Sequence, residues 1–300
     1  MFTGLSAFPL TPLNATGIDE PALDAIVTGL VAAKVDSIGV LGSTGAYAYL
    51  DRAERARTIE LTLAAAGDIP VLAGVGALRT RDVLQHVEDA QNLGVSAVLL
   101  APMSYQPLSN DEVFGLFEDV TAQLSVPLVV YDNPTTTRVV FGDDLHARIS
   151  QLPGVASIKI PPVSSEPHEA RTRVTTLRSK LPAHISLGIS GDMVAAEGLI
   201  AGCEAWYSAI AGVLPQPCMA LTKAALSGDA ASARTISSHM EPLFEIMRQY
   251  GSFRVASAVA EELGLVCADN LPAPIMPLNP EARVAIRHAL NLLKDTGLIQ

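Results

Sequence analysis

The chain is short of aromatic side chains, at 5% of residues, and short of positive charge, with 20 Lys+Arg against 31 Asp+Glu and a net charge of −11. The first shortage removes the stacking platforms on which single-stranded bases lie. The second removes the basic surface that nucleic acid or an anionic membrane demands. Cysteine is scarce as well: Cys203, Cys218 and Cys267 are an odd number, far apart and without metal-ligand spacing, so neither a disulfide framework nor a structural metal is expected. The six histidines, His86, His146, His168, His184, His239 and His288, are scattered, which makes metal catalysis an unpromising reading. No apolar run approaches the ~18 residues that span a bilayer. The opening MFTGLSAFPL has no basic residue and no long apolar stretch and does not resemble a signal peptide. The expectation is a soluble, acidic, cytoplasmic protein.

What is present is a chain that is 49% hydrophobic and only 17% charged, enough apolar side chain for a large core. Short apolar runs recur at Gly4–Phe8, Ser37–Leu41, Val71–Val75, Ala97–Leu100, Pro127–Tyr131, Ala156–Ile160, Ile185–Ile189 and Ala205–Ile210. Each is too short for a helix, and most are rich in Val and Ile, as buried strands are. Helical stripes separate them, for example Leu23, Ile26, Val27 and Leu30, or Val113, Leu116, Phe117 and Val120. Asp51 with Glu54 and Ser109 with Glu112 have the spacing of capping boxes, and Gly94 stands where a helix stop is expected. Alternating β and α with near-continuous apolar strands predicts a parallel sheet covered by helices. Eight such units fit a closed (β/α)8 TIM barrel over residues 1–225. An open dinucleotide-binding sheet is disfavoured because the turn after the second strand, GSTGAY, lacks its third glycine. Residues 226–300 read as a C-terminal helical region, with a proline-rich connector, LPAPIMPLNP, before the last helix.

In such a barrel the chemistry collects at the C-terminal ends of the strands. The chain has five lysines, and only Lys159 stands inside an apolar strand, VASIKIPPV. Burying an ammonium is costly, so it is either paired with a carboxylate or neutralised. A neutral amine is a nucleophile toward carbonyl carbon, which makes Lys159 a candidate Schiff-base lysine, with a cross-barrel salt bridge as the plain alternative. Tyr131 ends the preceding strand and could shuttle protons beside it, or simply pack. Ser43, Thr44 and Gly45 lie in a glycine-flanked turn able to hold a carboxylate or phosphate. Gly191 and Asp192 after the seventh strand and Ser208 on the eighth add polar groups to the same rim. No Lys or Arg accompanies those last loops, which speaks against a phosphorylated substrate.

These motifs resemble the dihydrodipicolinate synthase / N-acetylneuraminate lyase family of pyruvate-dependent class I aldolases. The resemblance spans Gly42-Ser43-Thr44-Gly45, Tyr131-x-x-Pro134, Ile158-Lys159, Gly188-x-x-Gly191-Asp192 and the proline-rich connector. It implies that Lys159 forms an imine with the C2 carbonyl of a 2-oxo acid. Tyr131 would relay protons, and Ser43 and Thr44 would hold the substrate carboxylate. It further implies a homotetramer built as a dimer of dimers, with no cofactor or metal. The chain departs from the family pattern in three places. Ala46 replaces the usual glutamate, and Ser104 replaces the tyrosine that in those enzymes comes from the partner subunit to complete a hydroxyl relay, with Tyr105 next to it. Thr136 replaces the arginine that binds an acceptor carboxylate, with Arg138 displaced by two. Aspartate semialdehyde is therefore a poor acceptor, and the run Asp132–Thr137 offers neutral hydrogen-bond partners that suit a polyhydroxylated or uncharged one. The expected function is a Schiff-base lyase or aldolase of pyruvate or a related 2-oxo acid. A dehydratase using the same lysine, a true dihydrodipicolinate synthase, and a barrel that binds an oxo acid without turning it over are the alternatives.

Overall fold

The computed structural model describes residues 2–299. Met1 and Gln300, the outer limits of the two expected segments, lie outside the described residues. Ten strands follow in chain order: β1 (Gly4–Ala7), β2 (Leu13–Asn14), β3 (Gly17–Ile18), β4 (Ser37–Val40), β5 (Val71–Gly74), β6 (Ala97–Leu100), β7 (Leu128–Tyr131), β8 (Val155–Ile160), β9 (Ser186–Ile189) and β10 (Ala205–Ser208). All but β2 and β3 are the eight expected runs, shifted by no more than a residue or two at their ends. They pair in parallel in the order β1-β10-β9-β8-β7-β6-β5-β4, and β4 returns to β1 to close the barrel. β2 and β3 form a two-residue antiparallel hairpin outside it, too short to leave a periodicity in the sequence.

The helices are α1 (Glu20–Ala33), α2 (Arg52–Ala66), α3 (Thr80–Leu93), α4 (Asn110–Thr121), α5 (Pro134–Thr137), α6 (Asp143–Ile149), α7 (Pro167–Arg178), α8 (Ala195–Ile200), α9 (Pro215–Leu226), α10 (Ala230–Tyr250), α11 (Ser252–Glu262) and α12 (Pro280–Asp295). Their boundaries follow local chemistry. Asp51 and Ser109 each close a capping box onto Glu54 and Glu112, satisfying orphan N–H groups of α2 and α4. Gly94 ends α3 at φ 94°, a left-handed turn that glycine enters freely. The stripe Leu23, Ile26, Val27 and Leu30 is buried on α1.

Side-chain alternation along the strands sorts the interior into two layers. One large layer lies between strands and helices and runs on without a break into Met240, Leu243, Phe244 and Val255 of α10 and α11. The smaller one, built on Phe8, Leu72, Leu99, Val129, Tyr131, Ala205 and Tyr207, fills the barrel itself. Two aromatic rings need room there. A Cβ on Gly39 would lie 2.4 Å from the Phe8 ring, and one on Gly188 would lie 2.1 Å from the Tyr207 ring. Glycine at these two positions lets the rings stand under the mouth of the barrel. Among the described residues, no helix is long and apolar enough to cross a membrane.

Candidate active site

Lys159 is the fifth residue of β8 and shares the inward phase of Ser157, whose hydroxyl meets the Tyr207 hydroxyl at 2.7 Å. Pro161 and Pro162 end pairing directly after this strand, which leaves the lysine at its mouth. Tyr131, the last residue of β7, is its register partner, and the Asp132 N–H donates to the Lys159 carbonyl at 3.1 Å. The two strand ends are thus tied together, and the side chains of both point into one cavity.

The lysine nitrogen stands 4.0 Å from the centroid of Phe8, 4.1 Å from that of Tyr131 and 5.8 Å from that of Tyr207. Lys159 is only 5% exposed, and among the described residues no carboxylate lies within ion-pair distance of it. The salt-bridge alternative therefore has no partner. Burial lowers the lysine to about 7, with the more distant Asp192 carboxylate opposing. A large share of this side chain is a neutral amine at physiological pH.

Tyr131 reaches the opposite wall. Its hydroxyl accepts from the Asn133 amide at 2.8 Å and lies 3.4 Å from the Ser43 hydroxyl, and Asn133 also donates to Ser43 at 3.3 Å. Burial raises the phenol above its ordinary range while the Ser43 and Asn133 contacts oppose. The group is a protonated phenol joined to a second hydroxyl, as a proton shuttle requires.

Asp192 is 3% exposed and accepts from the Trp206 indole at 3.0 Å and from the Ile210 N–H at 3.1 Å. Burial pushes its carboxyl up, opposed by these donors and by the Ser208 hydroxyl beside it. Ser208 itself is fully buried and accepts from the Ala211 N–H at 3.0 Å, so it supports Asp192 from behind and does not line the cavity. Gly45 is also behind the wall: a Cβ there would meet the Leu41 backbone nitrogen at 2.8 Å, so this glycine closes the turn. Ser43, Thr44, Gly191, Asp192 and Thr136 do line a cavity of about 500 Å³ with Lys159 and Tyr131. Gly191 holds φ 87°, and a Cβ on it would strike Pro162 at 2.5 Å.

Tyr105 is 88% exposed on the single chain and is not among the residues that line that chain's own cavity. Besides Ser208 and Gly45, one further expectation is corrected by the tertiary structure. The run Asp132–Thr137 divides. Asn133, Thr135 and Thr136 face the cavity, whereas Asp132 turns inward to His146, Oδ2 to Nε2 3.3 Å, and Thr137 bonds the Asn133 carbonyl at 2.9 Å. Pro134 at the first position of α5 causes the split by starting a helical turn within the run. Arg254 of α11 also lines the mouth, from outside the βα loops. The βα loops of a barrel give no hint of Arg254, Tyr250 or Phe253, which come from past the last strand. Phe8 and Tyr207 escape notice for another reason: on an apolar strand they look like packing residues. Arg138, at the left-handed end of α5, is exposed and outside the cavity.

Behind Tyr47 in the same wall lies a second buried cation. Arg55 of α2 is 5% exposed, donates to the Gly74 and Gly76 carbonyls at 2.8 and 3.1 Å, and stacks 5.6 Å from the Tyr47 centroid. Ala46, beside Tyr47, takes φ 57° and also lines the cavity.

The comparisons with known proteins agree with this geometry. The Dihydrodipicolinate synthetase family matches residues 1–293. The 4-hydroxy-tetrahydrodipicolinate synthase of Phenylobacterium zucineum (strain HLK1) is 30% identical over 301 residues, covering 100% of this chain and 99% of its own length. The crystal structure of a dihydrodipicolinate synthase from Agrobacterium tumefaciens strain C58 superposes with a TM-score of 0.93 at 40% identity, covering 97% of this chain and 98% of that one. The Acinetobacter baumannii dihydrodipicolinate synthase crystallised with pyruvate shares the fold at a TM-score of 0.88 and 24% identity, over the whole of both chains. With the match running through nearly every residue, the barrel and its buried lysine are those of a member: the chain belongs to the dihydrodipicolinate synthetase family.

Proposed function

We propose that the protein is a class I lyase or aldolase in which the Lys159 amine forms an imine with the C2 carbonyl of pyruvate or a larger 2-oxo acid. The observation that carries this reading is the lysine nitrogen itself, which is buried over three rings, has no carboxylate partner and sits near neutral protonation at the end of β8. The amine adds to the carbonyl, and the carbinolamine loses water to give the imine. Loss of a C3 proton then yields an enamine. The enamine carbon attacks an aldehyde carbonyl, or the same bond breaks in the reverse direction, and water releases the product and the free amine. Tyr131 would carry protons to and from the oxygen and carbon centres, with Ser43 completing the relay through its hydroxyl. Thr44 and the Gly191–Asp192 turn would hold the substrate ends.

Assembly as a homotetramer, residence in the cytoplasm, and a division of labour between residues 1–225 and 226–300 belong to the same proposal. The family supports the first, and the acidic composition is compatible with the second. The third rests on the cavity, whose reacting groups come from the barrel and whose mouth is shared with α10 and α11. Sedimentation velocity on the full chain reports the first directly, and a monomer over the micromolar range would remove it.

Borohydride reduction in the presence of pyruvate, read by intact mass and peptide mapping, tests the chemistry. We expect one reduced adduct per chain on Lys159, absent in Lys159→Ala. No adduct with pyruvate or any longer 2-oxo acid would refute the imine reading.

A further inference from the structure

We infer that Arg254 is a specificity residue that receives a carboxylate at the far end of the substrate, so that the molecule turned over or formed is a 2-oxo dicarboxylate. The inference rests on the imine reading for the near end only. Beyond Lys159 and Asp192, Arg254 is the one further Lys, Arg, Asp or Glu among the residues that line the cavity. Its Nε donates to the Met276 carbonyl at 3.1 Å, so the proline-rich connector holds the guanidinium in place. Neither Nη makes a hydrogen bond within the described residues, and no carboxylate lies within ion-pair distance of Arg254. A planar cation with its outer edge free, fixed at its inner edge and half-buried at the mouth of a cavity, is matched to a carboxylate oxygen pair. The start of α11 adds to this, because Gly251, Ser252 and Phe253 also line the mouth and no side chain caps the helix.

The cavity size agrees. About 500 Å³ lies in the range that holds drug-sized ligands, far more than pyruvate fills. Asn133, Thr135 and Thr136 line the same cavity and are neutral groups suited to hydroxyls of such a substrate. Arg138 cannot serve this purpose, being exposed and outside the cavity.

The test compares 2-oxo dicarboxylates of five to seven carbons with 2-oxo monocarboxylates of the same lengths, by calorimetry on the full-length wild type, Arg254→Ala and Arg254→Lys. In the wild type one dicarboxylate length should bind about 10- to 100-fold tighter than its monocarboxylate, the range of a charge-assisted contact that is partly solvated. That advantage should vanish in Arg254→Ala, return in part in Arg254→Lys and shrink with added salt, and monocarboxylate and pyruvate binding should change by less than dicarboxylate binding does. Borohydride trapping of the same complexes reads Lys159 separately. An advantage that depends on Arg254 without any Lys159 adduct would overturn the imine reading and leave the clamp standing. A pyruvate adduct with no dicarboxylate advantage, or with an advantage that persists in Arg254→Ala, would overturn the clamp alone.

Discussion

Lys159 at the end of β8 and Arg55 on α2 are both buried basic side chains of one barrel, each 5% exposed and each without a carboxylate partner among the described residues, yet they are solvated in different ways. The lysine is given rings, which tolerate a cation but do not replace its water, and it moves to about 7. The arginine is given two strand carbonyls and also stacks on Tyr47. Burial lowers it to about 10, so it keeps its charge at neutral pH. His86 records that charge nearby: burial, and then Arg55, lower it to about 4. Burial lowers both, and the arginine stays charged at neutral pH because it starts from 12.5 where the lysine starts from 10.5.

The contrast can be broken or sharpened at several points. The largest effect is expected for Tyr131→Phe, which keeps the ring against Lys159 but removes the hydroxyl bonded to Asn133 and Ser43. Turnover should fall by about 10²- to 10⁴-fold with KM for pyruvate little changed. Unaltered turnover in steady-state kinetics would deny the tyrosine its relay role.

Next is the pH dependence of stability. The folded lysine titrates near 7 and the unfolded one near 10.5, so between these values the unfolded chain binds more protons. Wild-type stability should therefore rise with pH across that window, by at most roughly 1.4 kcal/mol per pH unit from this group, and carry the full burial penalty below pH 7. Lys159→Met lacks this slope. Its stability gain over wild type should be greatest at pH 6 and fade toward pH 10 in urea melts, and a gain independent of pH would contradict the assigned burial.

The smallest change is Arg55→Lys. It should cost about 1–3 kcal/mol at pH 7, because one ammonium cannot serve two carbonyls in the guanidinium's geometry. The variant should also acquire a stability slope with pH that the arginine lacks. Equal stability at pH 7 and 9 would show that the carbonyls hold a lysine charged as well.

Much of the barrel was legible because its signals are local. Strand length, apolar continuity, the boxes at Asp51 and Ser109 and the glycine at position 94 each act over a few residues, and the closed sheet follows from repeating them eight times. Lys159 stood out by the same logic, as an ammonium in a strand that has no local reason to contain one. The β2–β3 hairpin did not, because two-residue strands are shorter than any period. The division of Asp132–Thr137 was equally hidden, since the sequence cannot say that Asp132 meets His146 while Asn133 meets Tyr131.

The sequence by itself determined the architecture and the family and singled out Lys159 and Tyr131, because each is written in patterns that neighbouring residues enforce on one another. Only the tertiary structure decided the rest. It placed Ser208 behind Asp192 and brought Arg254 and Tyr250 from beyond the last strand to the rim. The latter placement depends on how α10 and α11 pack back over the barrel, and packing between segments far apart in the chain leaves no local trace.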